Sequence, residues 1–325
     1  MDEKTYNLLL NLYLRDLESR YDPSFGGFSS PSEGGSLFKW STPLTYAYLL
    51  DIGTMEEEVL FSLKKDIEFL YDPVDGGFFN FYDRTRAYEF YFETSKSLRV
   101  NALMVTALLR AYEKTGEEEF LKTALGTHRY LISFLYHRGS GCFLNAQVSD
   151  PDYYNLSPER RRRRKPPPTD TALIVEDNAK AILALLELYR ITGKESFKRT
   201  AFGCAEYITD NLLTPEGLYR YLDVENGKRG LLNMGRDIGW FAIALLRLSK
   251  EEPSYRETLL KVLDMKPSHE DWVYCSMVAY VLSNLDRERA RRLLEGTDVV
   301  LSYQNPDDMV FLLKVLENLI ERDEI

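Results

Sequence analysis

"NALMVTALLRAYEKTGEEEFLKTALGTHRY", residues 101–130, and "NAKAILALLELYRITGKESFKRTAFGCAEY", residues 178–207, align without a gap. Fourteen of the thirty positions are identical, more than two helices of similar composition share by chance. Each copy reads as a helix, a Thr-Gly stop and a second helix. Gly116 and Gly193 suit the left-handed position that follows a helix C-terminus, and acidic residues stand at the next N-terminus. The unit is an αα-hairpin with a short loop. Its first helix is apolar nearly all round, as a helix buried on every side must be. Its second is apolar on one face only (Phe197, Ala201, Cys204, Ala205, Ile208). One inner and one outer helix per hairpin are therefore expected. A weaker third copy starts at Asp237, where Ala244-Leu245-Leu246 aligns with Ala184-Leu185-Leu186.

Further helical stretches are read at 3–19, 43–51, 55–70, 270–284, 286–295 and 306–322, giving about twelve helices in six hairpins. Repeated helical hairpins close into a ring or run on as a solenoid. The loops decide for the ring. A Gly-aromatic signature recurs after the outer helices: "YDPSFGGF" (21–28), "YDPVDGGFF" (71–79), "HRGSGCF" (137–143) and "TPEGLYRY" (214–221). Asp-Pro opens a turn, Gly-Gly admits positive φ, and the aromatic residue is expected to plug the ring. The fold class is all-α, an (α/α)6 toroid formed by residues 1–325 as one domain, with an Arg/Pro-rich loop at 148–170.

Composition narrows the function. Hydrophobic residues are 44% and charged residues 28%, as in a globular chain. The formal charge of −10 disfavours nucleic acid as the main partner. No apolar run reaches the roughly 18 residues of a membrane span. Cys142, Cys204 and Cys275 form no CxxC, so neither a disulfide framework nor a structural zinc is expected. The opening "MDEKTYNLLL" lacks a signal-peptide pattern, and with the cysteines it leads us to expect a cytoplasmic setting. The run "RRRRRK" (160–165) lies in the Pro-rich loop and is read as a solvated or lid loop before an anion or nucleic-acid site.

The loop order resembles a known family. "YDPSFGGFSSPSE", "YFETSKSLRVNA", "DPDYYNLSPERRRRRKPPPTDTALIVEDNA" and "NMGRDIGW" are similar to successive segments of the spermatogenesis-associated, thioredoxin-domain protein family. That family belongs with the six-hairpin glycosidases and N-acylglucosamine epimerases. The resemblance covers most of residues 1–250. It implies the toroid and a central cleft, without a catalytic assignment to carry over. This sequence departs from the family pattern: Tyr91 stands for its His, Thr94 for its Lys, Val100 for its Asp, and Arg236-Asp237 for its Glu-Asp. No counterpart of the thioredoxin-like domain lies in these residues.

Asp177 and Asp237 occupy the same place in two hairpins, just ahead of an inner helix. Two carboxylates converging there would suit glycoside hydrolysis, which needs an acid and a base or nucleophile about 5–10 Å apart. An Asp in that place also serves as an N-cap. Glu93 and Glu176 are the next catalytic candidates. Candidate ligand contacts are Tyr91, Asn101, Asn178, Arg236, Trp240, Asp75, Phe79 and Asp83. His128, His137 and His269 match no inner-helix position, which weakens an epimerase-type reading. No metal and no cofactor are expected. The functional expectation is a carbohydrate-active protein that binds or processes a sugar in an acidic funnel. The alternative is a non-catalytic module partnered with a separate thioredoxin-like protein.

Overall fold

The computed structural model of the chain describes residues 3–28, 38–83, 94–297 and 305–320. Twelve long helices stand among the described residues: α1 (Glu3–Arg20), α2 (Pro43–Ile52), α3 (Glu56–Phe69), α4 (Leu98–Thr115), α5 (Glu118–Tyr130), α6 (Val175–Thr192), α7 (Glu195–Asn211), α8 (Gly235–Ser249), α9 (Tyr255–Leu263), α10 (Trp272–Ser283), α11 (Arg287–Glu295) and α12 (Val310–Ile320). The even-numbered helices touch one another in a closed circuit, from α2 through α12 and back to α2. The odd-numbered helices pack outside: α3 on α2, α5 on α4, α7 on α6, α9 on α8, α11 on α10 and α1 on α12. This is the (α/α)6 toroid. Its sixth hairpin joins the first helix of the chain to the last. None of these helices is long and apolar enough to cross a membrane.

Sequence accounts for the alternation. Helices α2, α6, α8 and α10 bury residues all round. Helices α7 and α11 bury one stripe. Gly116 (φ 70°) and Gly193 (φ 68°) end α4 and α6 in the left-handed conformation, each N–H returning to a tyrosine carbonyl, Tyr112 or Tyr189. Toward the C-terminal ends of the inner helices, repeat-equivalent positions form ion pairs around the ring. Arg110 meets Glu187 at 2.9 Å and Glu113 meets Arg190 at 2.6 Å.

The long loops all run from an outer helix to the next inner helix, so they gather at the inner-helix N-terminal end. Short antiparallel strands stiffen them. Gly217–Asp223 pairs with Arg229–Leu232 and with Ala172–Ile174, with Leu173 opposite Leu222. The two Tyr-Asp-Pro loops share one hydrogen-bond pattern. Asp22 N–H donates to Gly27 O and Gly26 N–H to Asp22 O; Asp72 and its glycines Gly76 and Gly77 repeat both bonds. Each loop also encloses a buried lysine. Lys39 Nζ donates to Gly26 O at 3.0 Å and pairs with Asp66 at 2.7 Å. Lys96 Nζ donates to Gly76 O at 2.8 Å and pairs with Asp72 at 2.7 Å.

Phe28, Phe78 and Phe143 are fully buried, as the plug reading expects, while Leu218 takes that place in the fourth loop. An inner-helix asparagine fixes two of them by the backbone. Asn101 Oδ1 accepts Phe78 N–H at 2.6 Å, and its Nδ2 donates to Phe78 O (3.0 Å) and Ser97 O (2.9 Å). Asn178 repeats the set on Phe143 N–H (2.8 Å), Phe143 O (2.9 Å) and Ile174 O (2.9 Å). Ahead of the third copy the loop residue Asn233 takes this part instead, its Oδ1 accepting Leu218 N–H at 2.8 Å.

The 148–170 loop contains two helical turns, Pro151–Tyr154 and Pro158–Arg161. One arginine of the run is not solvated. Arg161 is 4% exposed; its Nη1 donates to both Asp72 oxygens (2.9 and 2.8 Å) and to Asp75 (3.2 Å), and its Nη2 donates to Tyr154 O. It thereby pins the loop onto the second Tyr-Asp-Pro turn, and the rest of the run, Arg160 and 162–165, lies exposed.

Asn178→Ala strands the N–H and C=O of Phe143 in the core. The expected loss is about 2–4 kcal/mol, roughly 3–6 °C in thermal unfolding of a chain this long. Calorimetry checks it, with Asn101→Ala expected to behave alike.

Candidate functional site

A cavity of about 450 Å³ opens on the ring axis at the N-terminal ends of the inner helices. All six inner segments contribute: Pro43 and Leu44 in α2, Arg99 and Val100 in α4, Glu176 and Lys180 in α6, Arg236 and Trp240 in α8, Val273 and Met277 in α10, and Asp307, Asp308 and Phe311 around the start of α12. Trp40, Asn80 and Phe81 come from the loops. Helix N-termini carry partial positive charge, so six of them converging favour anionic or strongly polar groups.

The lining carries three basic side chains, Arg99, Lys180 and Arg236, against three acidic ones, Glu176, Asp307 and Asp308. The funnel expected to be acidic is thus balanced in charge. The excess negative charge of the chain lies elsewhere.

Glu176 sits in the first turn of α6 and reaches the cavity. Lys180, one turn on, donates to Glu176 Oε1 at 2.6 Å and lies 3.5 Å from Asp177 Oδ1. The Lys180 ammonium also sits 4.8 Å above the Trp240 ring, a cation–π contact. Burial works against the Glu176 charge, but Lys180, then Arg236 and Arg220, outweigh it and hold the carboxyl below its ordinary range. Burial raises Asp177, with Lys180 opposing.

Asp237 lies behind this layer, with no exposed surface. Its Oδ1 accepts the Glu176 N–H at 2.9 Å, and Arg220 Nη1 approaches Oδ2 at 3.2 Å. Burial pushes it up to about 7, the nearby Arg220 only partly offsetting this. Asp177 and Asp237 are near enough for the charge of one to act on the other, but they do not meet in the cavity. Both stand one residue or more inside their helices, so neither caps its own. Asp237 caps the neighbouring α6, and neither carboxylate lines the cavity.

Asp307 belongs to the seam between the chain's two ends. Its Oδ1 accepts Thr45 N–H and Thr45 Oγ1–H, both at 2.8 Å, and Tyr13 Oη donates to Thr45 Oγ1 at 2.9 Å. Burial pushes Asp307 up to about 6. Arg236 Nη2 pairs with Asp308 at 3.1 Å. The Arg99 side chain is exposed; its charge helps to lower Asp177, but no side-chain hydrogen bond or close ion pair joins it to a described residue.

Of the residues singled out in the sequence, Glu176, Arg236 and Trp240 line the cavity. Asn101 and Asn178 do not; they clamp the loops, their amides already filled by backbone groups. Phe79 is 1% exposed and packs with Tyr153 and Tyr154, and Asp75 pairs with Arg161, so both serve the scaffold. Asp83 ends a two-residue strand paired with Phe38. Tyr91 and Glu93 lie outside the described residues. Sequence reading passed over Lys180, Arg99, Asp307 and Asp308. The Glu176-x-x-x-Lys180 spacing was the available signal for the first. No histidine lines the cavity. His128 packs edge-on against Phe197, where burial lowers it to about 4. Among the described residues no group of three or more metal-ligating side chains gathers.

Solved structures with this architecture are numerous. The chain is similar to cellobiose 2-epimerase from Spirochaeta thermophila (15% identity, TM-score 0.69, 97% of this chain and 96% of that one). It is similar to a D-mannose isomerase (12% identity, TM-score 0.70, 98% and 97%). It is also similar to the GH76 α-mannanase BT2949 of Bacteroides thetaiotaomicron (13% identity, TM-score 0.70, 96% and 95%). At these identities the likeness is one of fold, the six-hairpin glycosidase-like toroid. No family model and no curated protein sequence matches the chain, so the resemblance to the thioredoxin-domain family rests on the quoted motifs alone.

The Asp237 carboxyl carries a pH signature. Its folded value, about 7, lies above the unfolded value near 4, so the folded state holds the extra proton between them. Its contribution is full below about pH 4 and is lost as pH rises through 7. Between pH 5 and 8 the wild type should lose roughly 3 kcal/mol from this group, or about 4 °C. Asp237→Asn keeps an acceptor for the Glu176 N–H and should flatten that decline. Unfolding temperatures of both proteins across this range provide the check.

Proposed function

We propose that the axial cavity binds a sugar or sugar-like polyol and that the protein is carbohydrate-active. The observation that carries this reading is the lining of the axial cavity, where the Lys180–Glu176 pair beside Trp240 shares the wall with Arg236, Asp307 and Asp308. Aromatic and apolar side chains interspersed with donors and acceptors suit a pyranose, which has an apolar face and an equatorial belt of hydroxyls. The sugar-processing titles of the structural neighbours support the same class. Arg99, exposed in the cavity wall with no close ion pair among the described residues, favours ligands that carry a carboxylate or phosphate.

The two cavity carboxyls whose titration is pushed apart supply an acid and a base. Lys180 keeps Glu176 ionised, fit to act as base or nucleophile, and burial raises Asp307 toward the value a general acid needs. In this reading Asp237 is a positioning residue that holds the first turn of α6, and so Glu176, against the cavity. The alternative, a non-catalytic module docked to a thioredoxin-like protein, calls for an exposed apolar face. The exposed large apolar side chains among the described residues are Leu8 and Leu12 on α1 and single residues on other elements.

Thermal unfolding against neutral, N-acylated and acidic sugars at about 10 mM tests the reading. A dissociation constant near 1 mM adds about 1.4 kcal/mol, roughly 2 °C. Trp240→Ala should abolish the shift. Arg99→Ala should abolish it for acidic sugars only. Glu176→Gln should keep the shift and lose turnover. No shift across the panel transfers the weight to the interaction module, tested next by pull-down with a thioredoxin-like protein.

A further inference from the structure

Two of the three cysteines, separate in the sequence, meet in the fold. Cys142 lies in the strand Cys142–Phe143 of the loop that follows α5, and Cys204 lies on the inner face of α7. Their sulfur atoms stand 2.7 Å apart, and both residues are fully buried. Cys142 Sγ also donates to Cys204 O at 3.4 Å, and Cys204 Sγ lies 3.4 Å from Asn178 Oδ1. Non-bonded sulfurs rest farther apart, whereas a disulfide needs about 2.05 Å. Closing the remaining gap takes a movement within side-chain reach. Both residues are free thiols in this structure, and Cys275 on α10 is the third.

We propose that Cys142 and Cys204 form a disulfide that staples the third Gly-aromatic loop to outer helix α7, directly beneath the Asn178 clamp. The bridge joins residues 62 apart, so it would remove substantial loop entropy from the unfolded chain. Thiol–disulfide exchange with a small-molecule disulfide such as oxidised glutathione makes it. One cysteine thiolate attacks the reagent's sulfur and expels one thiol; the second cysteine attacks the mixed disulfide and expels another. Two protein thiols become one disulfide, and one reagent disulfide becomes two thiols. Burial raises the Cys204 thiol well above its ordinary value, so exchange in the closed fold is slow. The bond therefore forms during folding or local opening, before the sulfurs are sealed from solvent.

The test refolds the full chain in a glutathione buffer, oxidised or reduced, then unfolds it in acid and alkylates the free thiols for mass spectrometry. The expected oxidised product carries one alkyl group, on Cys275, and yields a peptide linking Cys142 to Cys204. Its unfolding temperature should exceed that of the reduced protein by about 5 °C. Cys142→Ser and Cys204→Ser should each lose that difference, and Cys275→Ser should keep it. Three alkylated cysteines after oxidative refolding, or a link through Cys275, overturn the proposal. A Cys142–Cys204 link without a rise in unfolding temperature overturns the stapling role.

Discussion

The architecture depends on how an inner-helix asparagine holds the loop that precedes its helix. Asn101 and Asn178 each offer one acceptor and two donors, and each spends all three on backbone. A loop that dives into the ring carries peptide groups away from water, where every unpaired one costs 1–3 kcal/mol. The carboxamide satisfies them at a single point and fixes the buried phenylalanine in register with the helix. The loop ends above it are then free to differ among hairpins, and Asn80 and Phe81 from one of them join the inner helices in lining the cavity.

Charge inside the toroid follows the same economy. Lys39, Lys96 and Arg161 are buried, each against a carboxylate and at least one backbone carbonyl or aromatic ring. Breaking one partner of such a set strands the other, so these positions are far less tolerant than the surface pairs around them. At the cavity the pairs become incomplete by degrees. Glu176 is paired through one oxygen with Lys180, Arg236 is partly exposed beside Asp308, and Arg99 is exposed without a close ion pair among the described residues.

The ring was legible because its evidence is local. Two hairpins share fourteen positions, and glycine at 116 and 193 states a helix end outright. The site was legible only where it fell on the repeat, as Glu176, Arg236 and Trp240 do. Asn101 and Asn178 looked like ligand contacts because polar residues at inner-helix N-termini face the axis. Their actual partners, the carbonyl and N–H of a phenylalanine 23 or 35 residues earlier, are set by loop conformation rather than by spacing. Asp307 and Asp308 were invisible because the last hairpin shares no sequence pattern with the others. Its partner is the first helix, nearly 300 residues away.

That seam bears on biosynthesis. The cavity wall needs Pro43 and Leu44 from the start of the chain and Asp307, Asp308 and Phe311 from its end. The Asp307–Thr45–Tyr13 clasp that joins them spans 262 residues and more. A nascent chain can stack its middle hairpins as they leave the ribosome, since each contacts only its neighbours. It cannot enclose the axis until the final inner helix arrives. Until then the growing protein is an open arc, with the apolar edges of α2 and α10 uncovered. The pocket closes only once α12 has been made, and until then the half-made ring leaves apolar helix faces open to water.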